Sequence, residues 1–190
     1  MVHPSLPVRN VRNLAALSKK SKIGLNAGSN GNGTTSHLSL EMFKQMTGAN
    51  VTHIPYKGSG PAVTALLSGE YEFSFPTALA AMPHIKASKL RGLAVTTAKK
   101  ASALPDLPTM ASFYPGFDTD NWYGMFVPAR TPKDVVARLN TEMLKALKSA
   151  DVRKEGDEPA GTSPDEMTTY FKREVDKFAK VIRAGNIQVD

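Results

Sequence analysis

The sequence predicts an α/β fold with a mainly parallel sheet, and three observations carry that prediction. Short β-branched or apolar runs alternate with stretches of helical apolar spacing, the order that builds βαβ units. A Gly-rich run, Gly28-Ser-Asn-Gly-Asn-Gly33, separates the first such run from the first long helix, which marks a strand-turn-helix joint. With 190 residues, 41% of them hydrophobic, the chain is long enough for one large domain or two small lobes built around a real core.

Taken in order, Lys22–Ala27 reads as the first strand. A helix follows from about Ser36, with Leu40, Phe43 and Met46 at helical spacing and Gly48 placed to end it. Val51–Tyr56 is β-branched and bounded by Pro and Gly, so it reads as a second strand; the next helix is opened by Pro61 and closed at Gly69. Tyr71–Phe75 is a third strand, Ala78–Ala87 a helical stretch interrupted at Pro83, and Leu90–Thr96 a fourth strand. The Pro-rich segment from Leu104 to Gly116 is a surface connector and the candidate lobe boundary, with Trp122–Val127 a strand beyond it. Thr131 as N-cap and Pro132 at the first helical position open a helix with Val135, Val136, Leu139, Met143, Leu144 and Leu147 along one face. A capping box, Ser163-Pro-Asp-Glu166, opens the last helix, which carries Phe171, Val175, Phe178 and Ile182 before Gly185.

Charge and composition narrow the chemistry. The 24 Lys and Arg outnumber 17 Asp and Glu, a net charge of +7 that favours anionic partners. The basic residues are scattered (Lys19, Lys20 and Lys22, then Lys99 and Lys100, then the C-terminal helices) without interleaved aromatics, so nucleic acid is not the expected partner. The chain has no cysteine, which excludes disulfides, thiolate nucleophiles and Cys-based metal sites. His3, His37, His53 and His84 lack metal-ligand spacing, and there is no G-x-S-x-G elbow. Asp106, Asp118 and Asp120 sit in turn sequence. No catalytic constellation, metal or cofactor is therefore expected. No apolar run approaches the ~18 residues of a membrane span, and Met1-Val-His-Pro4 lacks the apolar stretch of a signal peptide.

The Gly-rich loop points backbone N–H groups and a helix N-terminus at whatever anion sits above it. Gly28 and Gly33 have the spacing of a nucleotide phosphate loop, but Thr34 stands where Lys is required. Gly31-x-Gly33-x-x-Ser36 nearly matches the dinucleotide fingerprint, yet Val51–Lys57 offers no acid for a ribose. What remains is a loop with hydroxyl and amide side chains, Ser29, Asn30, Asn32, Thr34, Thr35 and Ser36, suited to a small carboxylate. The structural alternative is that Ser36 caps the helix and the glycines only turn the chain. Tyr56-Lys57-Gly58 after the second strand and Phe75-Pro76-Thr77 after the third fall at the same sheet edge, so Tyr56, Lys57 and Thr77 join the candidate set.

These residues belong to a larger ordered set: Pro4-Ser-Leu-Pro-Val8, Gly28 through Leu38, Pro55-Tyr-Lys-Gly58, Leu66-Leu-Ser-Gly69, Pro83-His-Ile-Lys86, Leu90 through Thr96, Leu104-Pro-Asp-Leu-Pro-Thr109, Trp122 through Ala129 and Val135 through Asn140. Together they resemble the substrate-binding receptors of tripartite tricarboxylate transporters, also called Bug proteins. The resemblance implies a type II periplasmic-binding-protein fold that captures a small carboxylate and hands it to membrane permease subunits, in the periplasm and without catalysis. It assigns one complete ligand-binding lobe to residues 5–118 and the C-terminal portion of a truncated other lobe to 121–190. It maps ligand contacts onto Asn32, Gly33, Thr34, Thr35 and Ser36. The loops by which the family's first lobe supplies its other jaw have no counterpart here. Further departures are Arg153–Glu158, where relatives have a longer helix end, and Pro76, often Asp in relatives. Two rivals stand beside this reading: a phosphate- or nucleotide-binding enzyme using the Gly-rich loop, and a non-binding chain that forms a homodimer through exposed C-terminal helices.

Overall fold

The structure, a computed structural model, describes residues 1–149 and 160–188. The sequence departure at Arg153–Glu158 lies outside the described residues. The chain divides into two compact units, one of Met1–Asn121 with Lys180–Asp190 and one of Trp122–Ala179. The final residues, which the sequence reading places with the second part, thus group with the first.

The first unit opens with α1 (Val11–Lys20), a helix to which the sequence reading assigned no element. Its signals are nonetheless ordinary: the Asn10 side chain accepts the Asn13 N–H, Val11, Leu14, Ala15 and Ser18 are buried at helical spacing, and Lys19 and Lys20 face the negative end of the dipole. Then come β1 (Leu25–Ser29), α2 (Thr35–Thr47), β2 (Val51–Pro55), α3 (Ser59–Ser68), β3 (Phe73–Ser74) and α4 (Ala78–Lys86). The three strands form a parallel sheet in the order β2-β1-β3, with Leu25 opposite Val51 and Ala27 opposite Phe73. The first strand starts and ends later than its sequence range, and the third keeps only its centre.

Leu90–Thr96 is not a strand. Arg91 bridges to Val2 and Val95 to Thr109, two isolated pairings with Gly92 between them rather than one ladder. The buried residues, Leu90, Leu93 and Val95, break strict alternation for the same reason. Core packing centres on Phe43, Tyr71, Phe73 and Phe117, all at most 1% exposed, with Phe43 and Phe73 edge to face at 5.9 Å. Most of α2 from Ser36 to Phe43 is buried. It packs on the sheet, the Ser39 hydroxyl meets that of Thr119 at 2.7 Å, and the Gln45 amide donates to the Val181 carbonyl. Met46 stays 38% exposed, so the sheet side of α2 is carried by its earlier turns.

In the second unit, α5 (Lys133–Leu147) starts later than Thr131, with Pro132 as its N-cap. The helix α6 (Pro164–Gly185) begins at the capping box. Trp122–Val127 forms no strand among the described residues; its aromatics instead gather by ring contacts, Trp122 on Tyr170 and Phe171, and Phe126 on Phe171.

Candidate functional site

The chain leaves β1 through α2 to reach β2, then crosses back through α3 to β3 on the other side of β1. The strand order therefore reverses at β1. Ligands of open α/β sheets bind outside the carboxyl ends of the strands at such a reversal. Three loops reach that edge: Asn30–Thr34 after β1, Tyr56–Gly58 after β2 and Phe75–Thr77 after β3. The first two are joined by backbone bonds, Tyr56 N–H to the Ser29 carbonyl and Gly58 N–H to the Asn30 carbonyl, both at 3.0 Å. Thr77 lies at the same edge as the N-cap of α4, where its hydroxyl accepts the Ala80 N–H.

Most hydroxyls of the Gly-rich loop face inward and knit the loop itself. Ser29 is fully buried; its Oγ accepts the Gly31 N–H and lies 2.6 Å from His53 Nε2, so it cannot meet a ligand directly. Ser36 Oγ accepts the Asn30 N–H and sits 3.0 Å from Thr34 Oγ1, which donates to the Gly31 carbonyl. The Gly33 N–H is donated to His37 Nδ1. Ser36 is therefore a clasp of the loop rather than the helix cap. The N-cap is Thr34, and no side chain caps α2; α3, with Gly58 as its N-cap, lacks a side-chain cap as well.

What faces outward is a smaller set. Among the described residues, the Asn32 side chain and the Thr35 hydroxyl have no intramolecular hydrogen bond, and Lys57 is exposed in the loop that follows β2. The uncapped first-turn amides of α2 complete a donor-rich, positively polarised edge. Tyr56 points elsewhere: its hydroxyl donates to Glu70 and its ring tilts against Tyr71 at 5.6 Å. Burial, and then the Glu70 carboxylate, raise the Tyr56 pKa, so it stays a neutral donor.

The sequence reading did not foresee the imidazole pair under this loop. His37 and His53 stack at 3.8 Å, and burial lowers the pKa of both, that of His53 to about 4. For His53 the neighbouring His37 and then Lys44 add to the shift; for His37 the Glu41 carboxylate partly opposes it. No motif marks the pair, because His37 on α2 and His53 on β2 meet only once that helix packs on the sheet. Groups of three or more His, Cys, Asp or Glu that could hold a metal ion do not occur among the described residues.

The family model described as tripartite tricarboxylate transporter family receptor matches residues 1–187. The chain belongs to this receptor family. Protein BugT of Bordetella pertussis is 34% identical over 156 residues, which is 80% of this chain and 48% of that protein. A UPF0065 protein of Pseudomonas sp. strain P51, from the tcbD-tcbE intergenic region, is 32% identical over 92% of this chain and 54% of its own length. The chain thus spans about half the length of these relatives. Among solved structures, R. palustris Rpa4515 with adipate superposes with a TM-score of 0.87 at 37% identity, covering 98% of this chain and 64% of that one. The periplasmic binding protein BugD gives 0.85 at 29% identity, with 98% and 65% covered. The receptor-family α/β fold expected from the sequence is therefore borne out.

Proposed function

We propose that this chain provides a jaw of an extracytoplasmic solute receptor, which takes a small carboxylate in the periplasm and presents it to the permease subunits of a tripartite tricarboxylate-type transporter. It carries out no reaction. The observation that carries this reading is the carboxyl edge of the sheet at its reversal point, where the uncapped N-terminus of α2 lies with the unpartnered Asn32 amide and Thr35 hydroxyl and with Lys57. A carboxylate suits such an edge, because it accepts several N–H and O–H donors at once and its charge complements the helix dipole. Two relatives with bound dicarboxylates, Rpa4515 with adipate and MatC with malate, support the ligand class.

In this reading Asn32, Thr35, Lys57 and the first-turn amides of α2 touch the ligand, while Ser29, Gly33, Thr34 and Ser36 shape the loop that presents them. Tyr56 and Thr77 frame the edge. The nucleotide-enzyme rival finds no support, since Thr34 occupies the position of the required lysine and its hydroxyl is bonded within the loop.

A thermal-shift titration with adipate, malate and other small carboxylates tests the proposal, with ATP plus magnesium and NAD as controls. Binding to the native state alone raises the midpoint with concentration. One acid should do so, and Thr35→Ala should weaken it by about 1.5–3 kcal/mol, the range for a hydrogen bond to a charged group. A rise with ATP and none with any carboxylate would overturn the reading.

A further inference from the structure

Two rings brace the Gly-rich loop from below. His37 on α2 and His53 on β2 lie face to face, their planes within 12°. His37 is 6% exposed. Each ring meets the loop through one nitrogen, whose hydrogen-bond role is set by the tautomer. His37 Nδ1 accepts the Gly33 N–H at 3.1 Å, so that nitrogen carries no proton. His53 Nε2 fixes Ser29 Oγ, which accepts the Gly31 N–H at 3.2 Å. Both anchored amides belong to glycines with positive φ, +135° at Gly31 and +72° at Gly33, so the brace secures a backbone path that few residues adopt.

The charges around the pair are few. On α2, Glu41 Oε1 is 3.8 Å from His37 Nε2, and the same oxygen is 2.7 Å from Lys44 Nζ. β1 contributes only the uncharged Ser29 hydroxyl, β2 contributes His53 itself, and Gly185 packs against Glu41 through its backbone. Lys44 shares the Glu41 carboxylate and opposes a positive charge on either ring, while at His37 the Glu41 carboxylate outweighs it and burial outweighs both.

We propose that the stacked His37–His53 pair is a proton-sensitive brace: neutral, it holds the Gly31 and Gly33 amides inward, and protonation releases the Gly-rich loop. A proton on His37 Nδ1 would set one donor against another, the new N–H facing that of Gly33. A proton on His53 would place a cation against a parallel ring 3.8 Å away and within the repulsive field of Lys44. Burial keeps both rings neutral at neutral pH and delays their protonation into the acid range. Any acid-driven loss of a bound carboxylate is a consequence that rests on the proposed function; the brace itself does not.

The test needs no ligand. Backbone and ring nitrogens of the whole chain are followed by NMR from about pH 7.5 to about pH 3.5, with amide protection factors for Gly31 and Gly33 and far-UV circular dichroism as the check on folding. The Gly33 protection factor should fall about tenfold or more, with the same midpoint as a His37 or His53 ring nitrogen, while the dichroism holds. His37→Asn keeps an acceptor near the Nδ1 position without a titrating group, and His53→Gln keeps a polar atom near Nε2; in both, the Gly33 transition should flatten or move. A flat Gly33 signal in the unmodified chain would overturn the proposal. So would a Gly33 midpoint matching neither ring, or an unaltered transition in both variants, global unfolding at one common pH included.

Discussion

A methyl group at Gly28 would overlap the Tyr71 ring, far inside contact distance. The ring has little freedom to retreat, being 1% exposed with its hydroxyl bonded to the Ala62 carbonyl. Gly28→Ala should therefore overpack the junction of β1, α3 and β3 and destabilise the fold by about 1–3 kcal/mol. Chemical denaturation measures this directly, and an unchanged midpoint would mean that the ring yields without cost. In the sequence only motif spacing marks Gly28, whereas its necessity comes from a side chain more than forty positions away. The same limit applies across the loop. Composition shows that Ser29, Thr34 and Ser36 carry hydroxyls near a helix start, but only the fold decides that these three bond within the loop while the Asn32 and Thr35 side chains do not. His37 and His53 were invisible as a pair because their contact exists only after α2 packs on the sheet.

At the scale of elements, the start of α6 is the clearest case of local sequence setting local structure. The Ser163 N–H and hydroxyl both donate to Glu166 Oε2 at 2.8 Å, and the Glu166 N–H returns to Ser163 Oγ at 3.3 Å. This is the reciprocal capping box that the spacing predicted. Ser163→Ala should cost about 1 kcal/mol of helix stability, read as a lower melting midpoint at neutral pH. The Ser163 backbone N–H, and then its hydroxyl, hold the Glu166 carboxyl below its ordinary value of 4.5. A lowered carboxylate contributes stability above its unfolded value and loses it as pH falls through its folded one. The deficit of the Ala variant should therefore shrink in acid, and a deficit independent of pH would argue against the box. Other elements were less legible. Leu90–Thr96 has β-rich composition, but its partners, Val2 and Thr109, lie on different segments, so no continuous ladder forms. Helix α1 is encoded just as locally, by the Asn10 cap and the spacing of Val11, Leu14 and Ser18, although the sequence reading begins its elements only at Lys22.

For the molecule as a whole, the order of strands and helices was legible because each βαβ step is encoded locally, by a β-branched run, a cap and a glycine stop. Which surfaces find partners is a different matter. In the unit Trp122–Ala179, Tyr123 is 82% exposed, Phe126 61%, Met125 60% and Val175 49%. Scattered apolar exposure is ordinary, but aromatic side chains concentrated on one unit favour association. The homodimer that stands as a rival reading of the sequence predicts that light scattering will report a mass rising with concentration above the 20.5 kDa of a single chain. A constant single-chain mass would remove that expectation.

The pairing of Val2 with both Phe73 and Arg91 has a consequence in time. During synthesis Val2 is made long before Arg91, and with it Leu6 and Val8, which all end up buried. These side chains must wait, uncovered, until the crossovers through α2 and α3 have been completed and the later segment arrives. Long-range pairing of this kind is slow and leaves apolar surface open to the wrong neighbours. Val2 thus comes early in this unit and settles late, because its pairing waits on Arg91.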